Sequence, residues 1–409
     1  MEDIIYDVAV IGGGPAGMMA SGRASKTSKV ILLEKNPSLG VKLLITGGGR
    51  CNVTNAQYDV RTFLKKYKES DKFLFSAFSQ FSVKDAIEYF NGNGMETKVE
   101  AESRVFPVSN SAQSVWDVLV KQMEKVTVVT NSAVTGFESD GKTITAINLK
   151  NGKKVFAKKV ILATGGKSRP ETGSTGEGFD WLKKLGHNVI ASNEALVPIA
   201  LKDTWVKDLS GVTLQDIKLT TYQNGAKQQV SKGKLLFTHF GISGPTVLNM
   251  SSDVGELLKY GEVDIRLDLL PSLDHGMMNT KLQELFKIDD KKKIKNSLDS
   301  LIPSALVGLV LKYAGIDENK TNNSVSREER LKLIDAIKNV TMHVDSLLGS
   351  DKAIVSSGGV DLTEVDFKTM QSKIIDNLYL VGDVLNIDRP SGGYSLQLCW
   401  TTGWVAGGN

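Results

Sequence analysis

The chain alternates between short, wholly apolar runs and clusters of glycine. Asp7-Val8-Ala9-Val10-Ile11 and Val30-Ile31-Leu32-Leu33 are apolar without a break, the pattern of parallel strands buried on both faces. Between them, Ala16 to Ala24 is rich in small residues and Met, which predicts a helix lying close on a sheet. Residues 60 to 125 read as mixed and mainly helical. Phe73 to Phe81 and Val83 to Phe90 place aromatics at helix-like intervals, and Ser111 to Lys125 is amphipathic; these aromatics predict core, not ligand contact. Ser103 to Pro107 reads as a strand and turn, and Val126 to Val129 as a strand. Val134 to Phe137, Thr143 to Ile147 and Lys154 to Phe156 alternate, with turns at Asp140-Gly141 and Asn151-Gly152, predicting a small antiparallel sheet. Val160-Ile161-Leu162 is another buried strand, running into Ala163-Thr164-Gly165-Gly166.

From about residue 191 the pattern changes. Val197 to Leu201, Ile217 to Tyr222, Leu235 to Thr238 and Val263 to Leu269 predict strands, with turns at Asn224-Gly225 and Lys232-Gly233. Residues 274 to 340 are helical and lysine-rich; the run Lys291 to Lys295 predicts a solvated helix face. After Met342 the strand pattern returns. Leu378 to Val381 ends in Gly382-Asp383, and Ser391-Gly392-Gly393-Tyr394 opens a final helix to Ala406. The expected architecture is α/β. Residues 1–190 and 351–409 form a Rossmann-like domain, 191–273 with 340–350 an inserted β-rich domain, and 274–339 a helical domain.

The glycines carry the chemistry. Gly12, Gly14 and Gly17 stand at G-x-G-x-x-G spacing between the first strand and helix, and Glu34 ends the second strand. In that context Gly12 allows a tight turn, Gly14 a close backbone approach to a pyrophosphate, and Gly17 helix–strand contact. Pro15 and Ala16 begin the helix, whose free N–H groups favour phosphate. Glu34 suits a ribose 2′-OH and repels a 2′-phosphate, so a dinucleotide without that phosphate is expected. Gly47 to Gly49, with Thr46 before and Arg50-Cys51-Asn52 after, describes a loop held against something flat or charged. Lys42, Arg50 and Asn52 favour cofactor contact there. No C-x-x-C partner accompanies Cys51, so its thiol is read as packing. Glycines at strand ends recur at 164–166 and 382–383, and such ends converge on one ligand in parallel sheets.

Composition narrows the class. The 409 residues are 41% apolar with a net charge of +4, enough for more than one domain and too weakly basic to argue for nucleic acid. Cys51 and Cys399 are far apart and four histidines are scattered, so neither a disulfide framework nor a metal site is expected. The start, Met-Glu-Asp leading directly into a strand, leaves no room for a signal peptide. The longest apolar run, near Leu301 to Leu311, contains Pro303 and is too short for a bilayer. A soluble cytoplasmic protein is expected.

Taken together, GGGPAG at 12–17, KLLITGGGRCNVTN at 42–55, ATGG at 163–166, TGSTGEGF at 172–179, FTHFGISGP at 237–245, GGVDL at 358–362 and GGYSLQ at 392–397 resemble the aminoacetone-oxidase-like (BaiN-type) flavoprotein family, which has a glutathione-reductase-like FAD fold. The resemblance covers nearly the whole chain. It implies FAD as cofactor, held by Gly12, Gly14, Pro15, Ala16, Gly17, Glu34, Lys35, Lys42, Thr46, Gly47, Gly49, Arg50, Cys51, Asn52, Val134, Ala163, Thr164, Gly165, Gly382, Asp383, Gly392, Gly393, Tyr394 and Ser395. Glu34 would meet the adenosine ribose, Val134 the adenine through its backbone, and Asp383 the ribityl or pyrophosphate side. Ser395 stands where the family pattern has Asn, and Asn386 where it has Asp.

The helix opening near Gly393 offers its positive end to charge on the reduced cofactor without a cationic side chain. Tyr394 and His239, the latter in a strand-to-glycine turn, are the candidate catalytic groups. Three functions are open. The reading placed first is oxidation of a small primary amine such as aminoacetone, with O2 giving an oxo product, ammonia and H2O2. The alternative is an NAD(P)H-dependent reductase acting on an enone-type substrate. The third is an RNA-modifying or interaction protein using the basic helical insertion. One dinucleotide fingerprint, already committed to FAD, and no C-x-x-x-x-C pair argue against a flavoprotein disulfide reductase.

Overall fold

The computed structural model describes residues 4–190, 196–348 and 358–409. The chain divides into two compact units, Met1–Ala195 with Ser350–Asn409, and Leu196–Gly349. The boundaries expected beside residues 191 and 350 fall outside the described residues.

In the first unit the strand Ile5–Ile11 lies between Val30–Leu33 and Lys154–Leu162, all parallel, with Val8 opposite Val30 and Val10 opposite Ile161. Thr127–Val129 and Leu378–Leu380 extend the sheet on either side, also parallel. Val8 to Ile11 and Val30 to Leu33 are buried throughout, as their unbroken apolar pattern requires. The helix Pro15–Ala24 connects the first two strands, and the closing helix Tyr394–Gly408 lies along it. Contact between the two helices depends on missing side chains. A Cβ on Gly403 would lie 2.5 Å from the Ala16 carbonyl oxygen, and one on Gly407 2.5 Å from that of Ala20.

One strand differs from the sequence reading. Lys154–Phe156 and Val160–Leu162 are parts of the single strand Lys154–Leu162. Its first residues pair antiparallel with Ile144–Leu149, and from Phe156 onward it runs parallel to Ile5–Ile11. Lys158 and Lys159 interrupt the apolar pattern where the sheet meets solvent, and Lys158 reaches Asp7 at 2.8 Å. The antiparallel hairpins therefore grow directly from the parallel sheet.

In the second unit six strands close a barrel in the order Ile199–Leu201, Gly241–Ser243, Ala226–Thr238, Thr213–Gln223, Val263–Asp268 and Val340–Leu347. Asn224-Gly225 forms the expected turn, both residues having positive φ (49° and 77°). Lys232-Gly233 is not a turn: it lies inside the strand Ala226–Thr238, with Lys232 opposite Lys218. Gly233 is there for space, since a Cβ would sit 2.7 Å from Thr246 Oγ1 at the start of the helix Pro245–Leu258. The helices of residues 275–338 share one core with the barrel, Leu306, Val310, Leu333 and Ile337 packing with Leu219, Ile265 and Leu267. Lys338 holds the buried Asp268 at 2.8 Å and ties the last of these helices to the barrel.

Candidate functional site

Glycine geometry defines the first wall. Gly12 has φ +102°, and a Cβ there would meet the Ala163 carbonyl oxygen at 2.5 Å. A Cβ on Gly17 would come within 1.9 Å of the Gly12 carbonyl oxygen, so the turn and helix close only without side chains. Gly14 is different, because a Cβ there would meet nothing within 4 Å. It caps the helix with extended backbone, followed by Pro15, and among the described residues no side-chain cap bonds the first-turn N–H groups. This is an open helix N-terminus shaped for an anion. Glu34, 7% exposed, accepts from the Gly13 N–H (2.6 Å) and the Asn36 N–H (2.8 Å). Its carboxylate pins the glycine turn to the second strand and keeps lone pairs for a hydroxyl. Ser132 N–H donates to the Glu34 carbonyl at 2.8 Å, which brings the backbone leading to Val134 beside it.

The 42–55 loop forms the second wall. Gly47, Gly48 and Gly49 are successive left-handed residues (φ 57°, 68° and 83°), and Cys51 is a fourth at 58°. Such a run is affordable only where most members lack Cβ. Thr46 Oγ1 donates to the Leu43 carbonyl at 2.6 Å and Cys51 N–H to that of Thr46 at 3.0 Å. Cys51 is fully buried, and burial pushes its thiol up to about 12, so it packs as a neutral group. Asn52, with its amide oxygen toward the donor, accepts from Gly393 N–H at 3.0 Å and donates to the carbonyls of Thr54 and Val105. A Cβ on Gly393 would lie 2.3 Å from the Thr54 carbonyl carbon. Trp400 Nε1 donates to the Val53 carbonyl at 2.9 Å. The loop and the closing helix are thus locked together.

A charged cluster lies at the start of that helix. Arg389, 4% exposed, donates to the Asp383 carboxylate, to Ser395 Oγ (3.1 Å) and to the Ile387 carbonyl (2.6 Å). Lys42 Nζ is 3.8 Å from the other Asp383 oxygen and donates to Ser168 Oγ at 2.5 Å. Burial would raise the Asp383 carboxyl, but the charges of Arg389 and Lys42 outweigh it and hold it below the usual value. The sequence reading proposed this pocket without a cation and missed Arg389. Its signal was present: no charged residue follows it to the end of the chain, so a cation borders an otherwise uncharged helix.

The other expected residues are distributed more widely. Ala163 N–H donates to the Ile11 carbonyl at 2.8 Å, placing Ala163 and Thr164 beside the glycine turn, and Gly165 has φ +75°. Gly382 (φ +66°) faces Ala16, a Cβ there coming within 3.0 Å of the Ala16 Cβ. Gly392 has φ +115°. Lys35 reaches Thr175 and Glu177 of the 172–179 segment. Arg50 turns toward Glu100 and Asn110 and lies over the Phe106 ring at 4.2 Å. Tyr394 is 7% exposed, its ring 4.8 Å from Phe63 and 6.2 Å from Tyr67, and Tyr67 Oη donates to its carbonyl. His239 belongs to the second unit, exposed and edge-on to Phe240 at 4.9 Å. Among the described residues no three His, Cys, Asp or Glu side chains gather as a metal site, and no helix is long and apolar enough to cross a membrane.

A parallel sheet whose strand ends carry an open helix N-terminus, an acid after the second strand and glycine-built turns defines a dinucleotide-binding Rossmann-type protein. The chain belongs to the HI0933-like Rossmann-domain family, whose model matches residues 6–409. It is an FAD-dependent oxidoreductase. It is 31% identical over 406 residues to a ribosomal RNA dihydrouridine synthase of Escherichia coli (strain K12), covering 98% of this chain and 96% of that one. It is 29% identical over 406 residues to a 3-dehydro-bile acid delta(4,6)-reductase of Clostridium scindens, covering 98% of each. Among solved structures it is similar to the open conformation of a flavocytochrome c3 fumarate reductase, with a TM-score of 0.53 and 18% identity over 100% of this chain and 78% of that one.

Proposed function

We propose that this enzyme saturates a carbon–carbon double bond conjugated to a carbonyl, with NAD(P)H as reductant. The observation that carries this is the shared chemistry of the two full-length relatives. A delta-reductase and a dihydrouridine synthase are both named for adding hydrogen across a ring double bond. The steroid enone and the uracil ring of RNA each place that bond beside a carbonyl.

FAD, when bound, would supply the two-electron chemistry that links NAD(P)H to the substrate double bond. Its diphosphate would be held at the first-turn N–H groups after Gly14, its adenosine ribose by Glu34, and its ribityl side by Asp383. Arg389 and Lys42 keep Asp383 ionised and fixed in place. Tyr394 is proposed as the proton donor that completes the addition at the second carbon. Burial raises its phenol above the usual value, so the proton is retained at neutral pH.

Oxidation of a small primary amine with O2 is the second reading, supported by the absence from the sequence of another nucleotide fingerprint besides Gly12 to Gly17. Anaerobic mixing of the yellow protein with NADH, NADPH and aminoacetone in separate experiments discriminates the two. Bleaching by a nicotinamide cofactor but not by aminoacetone is expected; the reverse would favour the amine reading.

A further inference from the structure

Lysines concentrate twice in the second unit, with opposite outcomes. In the run from Lys291 to Lys295, Lys292 pairs with Asp289 (3.7 Å), Lys295 with Glu318 (2.8 Å), and Lys293 bonds Asn319 (3.0 Å). That run is largely neutralised within its own fold. The long barrel hairpin is not. Between Asp216 and Asp253 the chain has no carboxylate side chain, yet it carries Lys218, Lys227, Lys232 and Lys234.

The hairpin's ladder collects these charges. Lys218 lies directly opposite Lys232, and Lys227 opposite Tyr222. Lys218 is drawn to the buried Asp268 at 3.0 Å, an acid that Lys338 already holds. Lys227, Lys232 and Lys234 make no ion pair among the described residues. The neighbouring strand places two acids against the hairpin, Asp268 opposite Lys218 and Asp264 opposite Tyr222. Like charges directly opposite one another weaken a sheet, and a bound polyanion would relieve that repulsion. The same hairpin presents apolar and planar surface. Val230, opposite Thr220, is 42% exposed, and the Arg266 guanidinium lies 4.1 Å over the Tyr222 ring.

We propose that this hairpin face docks RNA, with Lys227, Lys232 and Lys234 on phosphates and the Tyr222–Arg266 stack beside an unpaired base. The inference rests on the double-bond reading, whose substrate it narrows to a uracil ring carried by a polynucleotide. Cations interleaved with an exposed apolar residue and a stacked ring suit a single-stranded or looped segment better than a small steroid.

The test uses the full, FAD-loaded chain and transcripts of bacterial ribosomal RNA, with affinity measured across a salt series. Wild-type binding that falls steeply with salt is expected. The triple variant K227Q/K232Q/K234Q should bind at least tenfold more weakly at low salt, with the slope of log K against log salt shallower by about 2, as loss of three single-strand phosphate contacts requires. K291Q/K292Q/K295Q should bind like wild type. FAD content and melting temperature establish that each variant is folded. No salt-dependent binding by the wild type, wild-type binding by the hairpin variant, or equal loss in the two triple variants would overturn the assignment. NADPH bleaching and turnover of a small cyclic enone report on the reaction without RNA, so failure of docking is separable from failure of the proposed chemistry.

Discussion

At the scale of single residues, space and hydrogen bonding make different demands on the same loop. Gly14 has room for a Cβ, so Gly14→Val should fold; its branched side chain would enter the proposed phosphate position, and purified protein is expected to be colourless. Retention of stoichiometric FAD would contradict that placement. Glu34→Ala removes a proposed ribose contact and two bonds to backbone N–H groups, so FAD affinity should fall by ~1–3 kcal/mol, measurable by titrating the apoprotein. Tyr394→Phe should leave bleaching by NADPH intact while slowing substrate turnover by about 10²-fold or more, the usual contribution of a general acid; a matched slowing of both steps would assign Tyr394 a packing role.

His187, 4% exposed, shows how a motif-free residue can still set pH dependence. Its Nδ1 is 3.0 Å from Glu364 and its Nε2 3.0 Å from Ser372 Oγ, which already accepts from the N–H groups of Ile374 and Ile375. That pattern assigns a neutral ring with the proton on Nδ1, since a second ring proton would face an oxygen whose lone pairs are taken. Burial lowers the imidazole from its ordinary 6.5, opposed by Glu364. The unfolded chain therefore binds the proton more readily than the native one. Stability from this site is present above about pH 6.5 and is lost as pH falls through that value toward the native one. His187→Gln should flatten the decline in urea midpoint between pH 7 and pH 5. An unchanged slope would exclude His187 as its source.

At the scale of elements, the closing helix organises the site. It lies against Pro15–Ala24 through Gly403 and Gly407, reaches the glycine loop through Trp400, and meets β-structure at Thr54, whose Oγ1 bonds Gln397 at 2.6 Å. Gly403→Val would push valine into the Ala16 carbonyl and displace the helix Pro15–Ala24, whose first turn is the proposed phosphate site. A stability loss of about 1–3 kcal/mol from overpacking is expected, with lowered FAD occupancy, read by denaturant unfolding and absorbance. Much of this helix was legible in advance, because Gly392-Gly393 marks its start and its apolar run has helical length. Its partner was not legible. Gly403 and Gly407 look like helix-weakening residues until Ala16 and Ala20 are known to lie across from them.

At the scale of the molecule, the same division holds between local and distant causes. The tight turn at Gly12, the close helix–strand approach at Gly17 and the strand that ends before Glu34 could be read because each follows from neighbours in sequence. Closure of the barrel could not, because it depends on pairing Ile199–Leu201 with both Gly241–Ser243 and Val340–Leu347. Lys232-Gly233 was misread as a turn because Gly233 serves the helix beginning at Pro245, whose approach no local pattern announces. Arg389 was missed because its partner Asp383 was assigned wholly to the cofactor.

The most direct measurement is a double-mixing experiment without oxygen. Enzyme first bleached by one equivalent of NADPH is mixed with a cyclic enone or with uridine-containing RNA, and the yellow colour and product mass are followed. Return of the oxidised absorbance, with product heavier by two hydrogens, is the expected result. Flavin that stays bleached until air is admitted, together with rapid bleaching of fresh enzyme by aminoacetone, would contradict the proposed reduction and establish the amine oxidase in its place.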